Sequence, residues 1–250
     1  MEEALETLDW LGKPVRCGDC PHKAMRRDGL CRKGTSCVRD RRSRRVDRFF
    51  QEHAELADNY LDHPYFEVRA IATKYASLFR LPALLGDPEP EVRAMAILRL
   101  PASRVEKLSG DPDRRVRIAV ASRLSGRALL MMLDDEDYYV RLTAVRRMAP
   151  DLLCLAFGDK EPEVRRCAAR RAEIGRLVEL SADPEPLVRL EVAERMAPER
   201  LHLMINDPDL RVRFTVAERL PLAALSPLRN DPDEVIREMV ANRLSGKETP

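Results

Sequence analysis

The sequence predicts an all-α protein: a solenoid of 24-residue repeats, each with one α-helix and one 3₁₀-helix, behind a small N-terminal four-cysteine metal module. Three observations predict it. Val-Arg dipeptides begin at Val68, Val92, Val116, Val140, Val164, Val188 and Val212, and Ile236-Arg237 continues the series, every step being 24 residues. Asp87, Asp111, Asp135, Asp159, Asp183, Asp207 and Asp231 keep the same step, as do Arg99, Arg123, Arg147, Arg171, Arg195, Arg219 and Arg243. Finally, four of the six cysteines crowd between Cys17 and Cys37. A fixed period of this length is the mark of a stacked repeat array. The array divides the chain into residues 1–62, a cysteine-rich module with a connecting helix, and residues 63–250, eight repeats of which the last is truncated.

Taken in order, the first fifteen residues carry one Lys against four acids and lack a basic and then an apolar region, so they do not read as a secretory signal. The longest wholly apolar run, 128–133, is far too short to span a bilayer. The expectation is a cytoplasmic protein in a reducing compartment, where clustered cysteines favour a metal or redox site over disulfides.

The cysteines follow as C17-x2-C20-x10-C31-x5-C37. Four thiolates at Cys17, Cys20, Cys31 and Cys37 can close a tetrahedral zinc site or hold an iron–sulfur cluster, and the spacing leaves both open. Gly18, Gly29 and Gly34 let the backbone bend around a metal, and the segment has too few large apolar residues for a core of ordinary buried thiols. His22 could replace one cysteine as a ligand, but four cysteines already suffice. Cys154 and Cys167 stand at repeat positions held elsewhere by Leu, Val, Ala or Thr and read as core or near-core residues.

Net charge is +2 overall, yet residues 16–48 carry twelve Lys or Arg against four Asp. The run Arg39, Arg41, Arg42, Arg44, Arg45 closes this basic segment. It would compensate the negative charge of a four-thiolate site; the alternative is a docking patch for nucleic acid or an acidic protein. The connecting helix comes next, with Val46, Phe49, Phe50, Leu56, Ala57 and Tyr60 on its apolar face and His53 packed among them.

One repeat, D87-PEPEVRAMAILRLPASRVEKLSG-110, justifies the rest. Asp87 reads as the helix N-cap and Pro88 as its first residue. Val92, Ala96, Ile97 and Leu100 form an apolar stripe, Pro101 stops the helix, and Val105 and Leu108, three apart, suit a 3₁₀-helix. Glu89 stands four residues before Arg93, and the pair recurs down the chain, which suggests ion pairs within each helix. The later arginines lie near each helix C-terminus, where the dipole favours a cation. Both series read as structural ladders rather than as a nucleic-acid groove, since aromatic residues rarely interleave with them.

These features, the unit DPDRRVRIAVASRL with its trailing leucines and the four-cysteine module ahead of the repeats, resemble the leucine-rich repeat variants over nearly the whole chain. Departures are small: Glu136 and Lys160 replace the proline after the repeat aspartate, and Tyr75 replaces the first late arginine. The resemblance implies a right-handed superhelix of alternating α- and 3₁₀-helices. It also implies a [4Fe–4S] cluster on Cys17, Cys20, Cys31 and Cys37, in a bacterial family associated with nitrogen-fixing organisms and without a settled function.

Together these readings lead to an iron–sulfur protein whose solenoid binds a protein partner, the cluster serving electron transfer or redox sensing. The alternatives are a nucleic-acid-binding protein whose basic arm is ordered by the cluster, or a zinc-binding interaction module. An enzyme is not expected: Gly29-x4-Gly34 is followed by Thr35 without the lysine of a phosphate loop, and the four histidines are scattered.

Overall fold

The structure, a computed structural model, describes residues 7–246. They fall into two compact units that divide between Leu124 and Ser125. Among the described residues there is no strand, only two isolated antiparallel bridges, Leu8 with Pro14 and Arg32 with Ser36.

In the first unit, α1 (Lys23–Arg27) sits inside the cysteine segment and α2 (Ser43–Glu52) follows it. A 3₁₀-helix, Ala54–Tyr60, comes before the first repeat helix, Phe66–Tyr75, so the alternation starts ahead of the periodic sequence. The repeat helices Pro90–Arg99 and Arg114–Arg123 complete this unit. The second elements of its first two repeats depart from expectation. Leu81–Leu84 and Ala102–Val105 are single turns of α-helix, and only Glu106–Leu108 is 3₁₀. Pro82 is the second residue of the first of these turns, and Pro101 immediately precedes the second. In the second unit the alternation is regular from the 3₁₀-helix Gly126–Asp134 to the last α-helix, Glu234–Leu244, except that the last 3₁₀ stretch breaks at Leu225 into Leu222–Ala224 and Ser226–Asn230.

The periodic apolar positions form the core. The valine series and Ile236 are at most 1% exposed, and the 3₁₀ residues Leu129, Leu153, Leu177 and Leu201, with Leu225 at the corresponding position, are fully buried. Each of these side chains is removed from water only by its neighbours in the stack, which is why no single repeat is stable alone.

The polar ladders are real, but they join different partners from those the sequence suggests. Asp87 is not the N-cap. The helix begins two residues later, with Glu89 as N-cap and Pro90 as first residue. In other repeats Asp113, Asp209 and Asp233 cap through the side chain, each accepting the backbone N–H two residues on. The Asp87 carboxylate accepts the Glu89 N–H and, at the same time, a two-point bond from Arg69 of the preceding helix, both contacts 2.9 Å. Arg93 grips Asp111 in the same way. In the second unit Arg141, Arg165, Arg189 and Arg213 grip Asp159, Asp183, Asp207 and Asp231. The acid four residues before each arginine is therefore not its partner. The planar guanidinium reaches forward eighteen residues, because only there can it meet a carboxylate edge-on with two N–H groups.

The late arginines likewise act between repeats. Arg99 donates to the carbonyls of Thr73 and Ala76, and Arg195 to those of Ala169 and Ala172. Each satisfies orphan carbonyls at the end of the preceding helix instead of its own.

Acid should loosen this ladder. Burial alone would raise the Asp159 carboxyl, but hydrogen bonds from Arg141 and from the Glu161 N–H outweigh it and hold the group below the usual carboxylate range; Asp231 is held down likewise by Arg213 and the Asp233 N–H. A depressed folded-state value means a contribution that is complete above the unfolded value of about 4 and is lost as pH falls through the folded one. Thermal melts should therefore change little with these groups between pH 7 and pH 5 and fall below about pH 4. An Asp159→Asn/Asp231→Asn variant should show a shallower acid limb; an identical limb would assign the acid loss to other groups.

Candidate metal centre

The cysteine segment is folded by local turns and pinned to α2. Thr7 and Val15 bring the N-terminal strand-like stretch across, with the Val15 N–H on the Thr7 carbonyl at 2.8 Å. A tight turn holds the first pair, the Cys20 N–H on the Cys17 carbonyl at 3.3 Å, and the Cys20 carbonyl then starts α1. Gly29, at φ 73°, reverses the chain after α1 and leads to Cys31. A second reversal at Gly34, φ 83°, lets Arg32 and Ser36 exchange backbone hydrogen bonds and delivers Cys37 to the wall of α2. A Cβ on Gly34 would stand 3.4 Å from Thr7, so the positive φ and the close approach both favour glycine there.

Cys17, Cys20, Cys31 and Cys37 line one cavity, with Val15 on its apolar wall. Three of the thiols are half-buried and Cys37 is buried. Burial, helped by the facing Cys20 and Cys17 sulfurs, pushes the Cys31 thiol up; burial pushes the Cys37 thiol up to about 11. Such thiols surrender their protons to a bound cation rather than to water. Among the described residues no three His, Cys, Asp or Glu side chains converge at the spacing of one bound ion. The donor set nevertheless fits an iron–sulfur group: four thiols on one cavity, and Lys23, Arg26, Lys33 and Arg39 around them to offset thiolate charge.

Two histidines support this wall, and the sequence showed the role of only one. His53 is 8% exposed, within the core as its helix pattern suggests, and its Nε2 donates to the Leu30 carbonyl at 2.6 Å, fixing the loop before Cys31. His22 lines the cavity beside the thiols, with Nε2 2.6 Å from the Tyr60 hydroxyl. Burial and His53 lower its pKa. Tyr60 lies 38 residues away in sequence, and no local signal marks the pair.

The basic run does not act as a unit. Arg45 is buried and paired with Asp40 at 2.7 Å, because α2 turns it inward, so it is no part of a docking surface. Arg39 is half-exposed, lines the cavity and donates to the Arg16 carbonyl. Arg41, Arg42 and Arg44 are exposed. Cys154 and Cys167 are half-buried in the second unit and do not line this cavity.

A family model described as the LRV protein FeS4 cluster matches residues 7–59, and one described as leucine rich repeat variant matches residues 114–137 and 210–233. An uncharacterized 27.7 kDa protein in nifB 3'region of Rhodobacter capsulatus is 48% identical over 90 residues, which span 36% of this chain and 37% of that protein. A solved structure of a leucine-rich repeat variant with a novel repetitive protein structural motif is 37% identical. It superposes with a TM-score of 0.85 and covers 92% of this chain and 99% of its own. The shared fold is the all-α repeat solenoid. No helix among the described residues is long and apolar enough to cross a membrane.

Proposed function

We propose, from the premise that the chain belongs to the leucine-rich repeat variant family, that it is a cytoplasmic, non-enzymatic [4Fe–4S] protein whose repeats present a surface to a protein partner. The ligands are Cys17, Cys20, Cys31 and Cys37. One observation carries the reading: these four thiols face a single cavity inside the segment that matches the iron–sulfur family model. When bound, such a cluster exchanges single electrons at a potential set by charge, hydrogen bonding and burial. Electron transfer or redox sensing follows, because all four cysteines serve as ligands and leave no iron for a substrate.

The chain's own residues supply the setting. Val15 and buried Cys37 keep one side of the site dry, while the half-buried Cys17, Cys20 and Cys31 leave another side near the surface. Arg39 is held against the Arg16 carbonyl, which keeps its positive charge at the cavity. Within each unit a buried Arg–Asp ladder joins the repeats, which suits them to present a surface to a partner.

Purification without oxygen tests the reading. The protein should be brown and contain about four iron and about four acid-labile sulfide per chain. A colourless anaerobic preparation with one zinc per chain would replace the cluster by a zinc module.

A further inference from the structure

We infer that the cationic rim of the cysteine cavity is a docking surface for a protein partner that presents an acidic patch. This deepens the proposed function and rests on it for the presence of a cluster beneath the rim. The rim is Lys23, Arg26, Lys33 and Arg39, all lining the cavity that the four cysteines share. Lys23, Arg26 and Lys33 are exposed, and none of them is paired with an acid among the described residues.

Charge compensation of the cluster does not exhaust these cations. A four-thiolate cubane carries a net charge of about −2, or about −3 when reduced. Within residues 16–48 ten Lys or Arg are exposed and only two acids, Asp19 and Asp28, are exposed with them. The other two acids are occupied, Asp40 by Arg45 and Asp47 by Lys74 and Tyr75. The segment keeps a positive surplus at either cluster charge, the four rim cations alone outnumbering it, and a surplus of one sign around an opening steers an oppositely charged partner to it.

The same surface favours a protein over a nucleic acid. Residues 16–48 contain no Phe, Tyr or Trp on which a base could stack. The rim helix α1 has five residues, too short to lie along a groove. Leu30, next to Cys31, is 50% exposed, which places an apolar contact inside a charged margin, the arrangement of a protein interface. Beyond residue 48 the chain carries 31 bases against 34 acids, so nothing extends the cationic surface into a track for a polyanion.

The test uses the full-length, anaerobically purified protein and two labelled probes, an oligoglutamate peptide and a 20-base-pair DNA duplex, with binding read by fluorescence anisotropy over a salt series. Replacing Lys23, Arg26 and Lys33 by Gln should weaken oligoglutamate binding on the order of tenfold and flatten its salt dependence. The visible spectrum should be unchanged. Replacing Arg41, Arg42 and Arg44, which do not line the cavity, by Gln should weaken it by less than about twofold. Equal losses in both variants, no binding at low salt, or tighter binding of the duplex than of the peptide would overturn the inference. Failure of the cluster reading shows separately, as loss of colour and iron, while anisotropy still reports on the rim.

Discussion

Asp207→Ala is expected to destabilise the protein by about 3–5 kcal/mol, whereas Asp209→Ala, two residues further on, should cost about 1 kcal/mol. Both residues are aspartates at the entrance to the same helix. Their surroundings set them apart. Asp207 is buried and accepts both Nε and Nη2 of Arg189, at 2.7 and 2.9 Å, and Arg189 is itself only 7% exposed. Truncating the carboxylate leaves a buried guanidinium without its counter-charge, and also removes the acceptor of the Asp209 N–H. Asp209 instead caps the helix through the Arg211 N–H, and its other partner, the Arg211 side chain, is solvent-exposed, so the pair adds little beyond the cap. Urea melts decide the matter. Equal effects would mean that the ladder is no more than a surface ornament of the caps. A third variant separates loss of the pair from loss of the residue. Arg189→Leu in the Asp207→Ala background should recover part of the stability, since it removes the unpaired buried charge, while the Asp183 and Pro184 carbonyls lose the Arg189 donor.

This contrast also locates what the sequence could and could not reveal. The repeat length, the alternation of two helix types and the buried valine column were legible because they depend on spacing alone. The phase of the aspartates was not. The motif D-x-[DE] offers two capping residues two positions apart, and local chemistry admits either as N-cap. What excludes Asp207 from that role is Arg189, eighteen residues earlier, a partner that the stacking of repeats supplies. The arginines mislead for the same reason: an acid four residues before a base satisfies a known helical rule, and only the neighbouring repeat shows a better-shaped acceptor. At the cysteine cavity the clustering of the four thiols was legible, and so was His53 as a core residue. Tyr60, which meets His22, and Arg45, which α2 turns inward to Asp40, depend on how the cysteine loop lies against the helix, and no spacing encodes that.

Removing two of the cysteines should strip the iron while leaving the repeats folded. In a Cys17→Ala/Cys31→Ala protein only Cys20 and Cys37 remain at the cavity, and bound iron should fall by more than the roughly 10–100-fold that changes around intact ligands produce. The repeats bury their own columns: Val164, Val188 and Val212 are fully buried among repeat residues, as are Leu177 and Leu201. Far-ultraviolet circular dichroism and the cooperative melt should therefore persist. Cys154→Ala/Cys167→Ala serves as the control, because those thiols do not line the cavity. It should keep its colour and its iron. Iron retained after loss of Cys17 and Cys31 would move the ligand set elsewhere in the chain. Loss of the melt along with the iron would show that the module is integral to the fold, with its ties through His53 to Leu30 and through Arg45 to Asp40 holding α2, and hence the first repeat helix, in place.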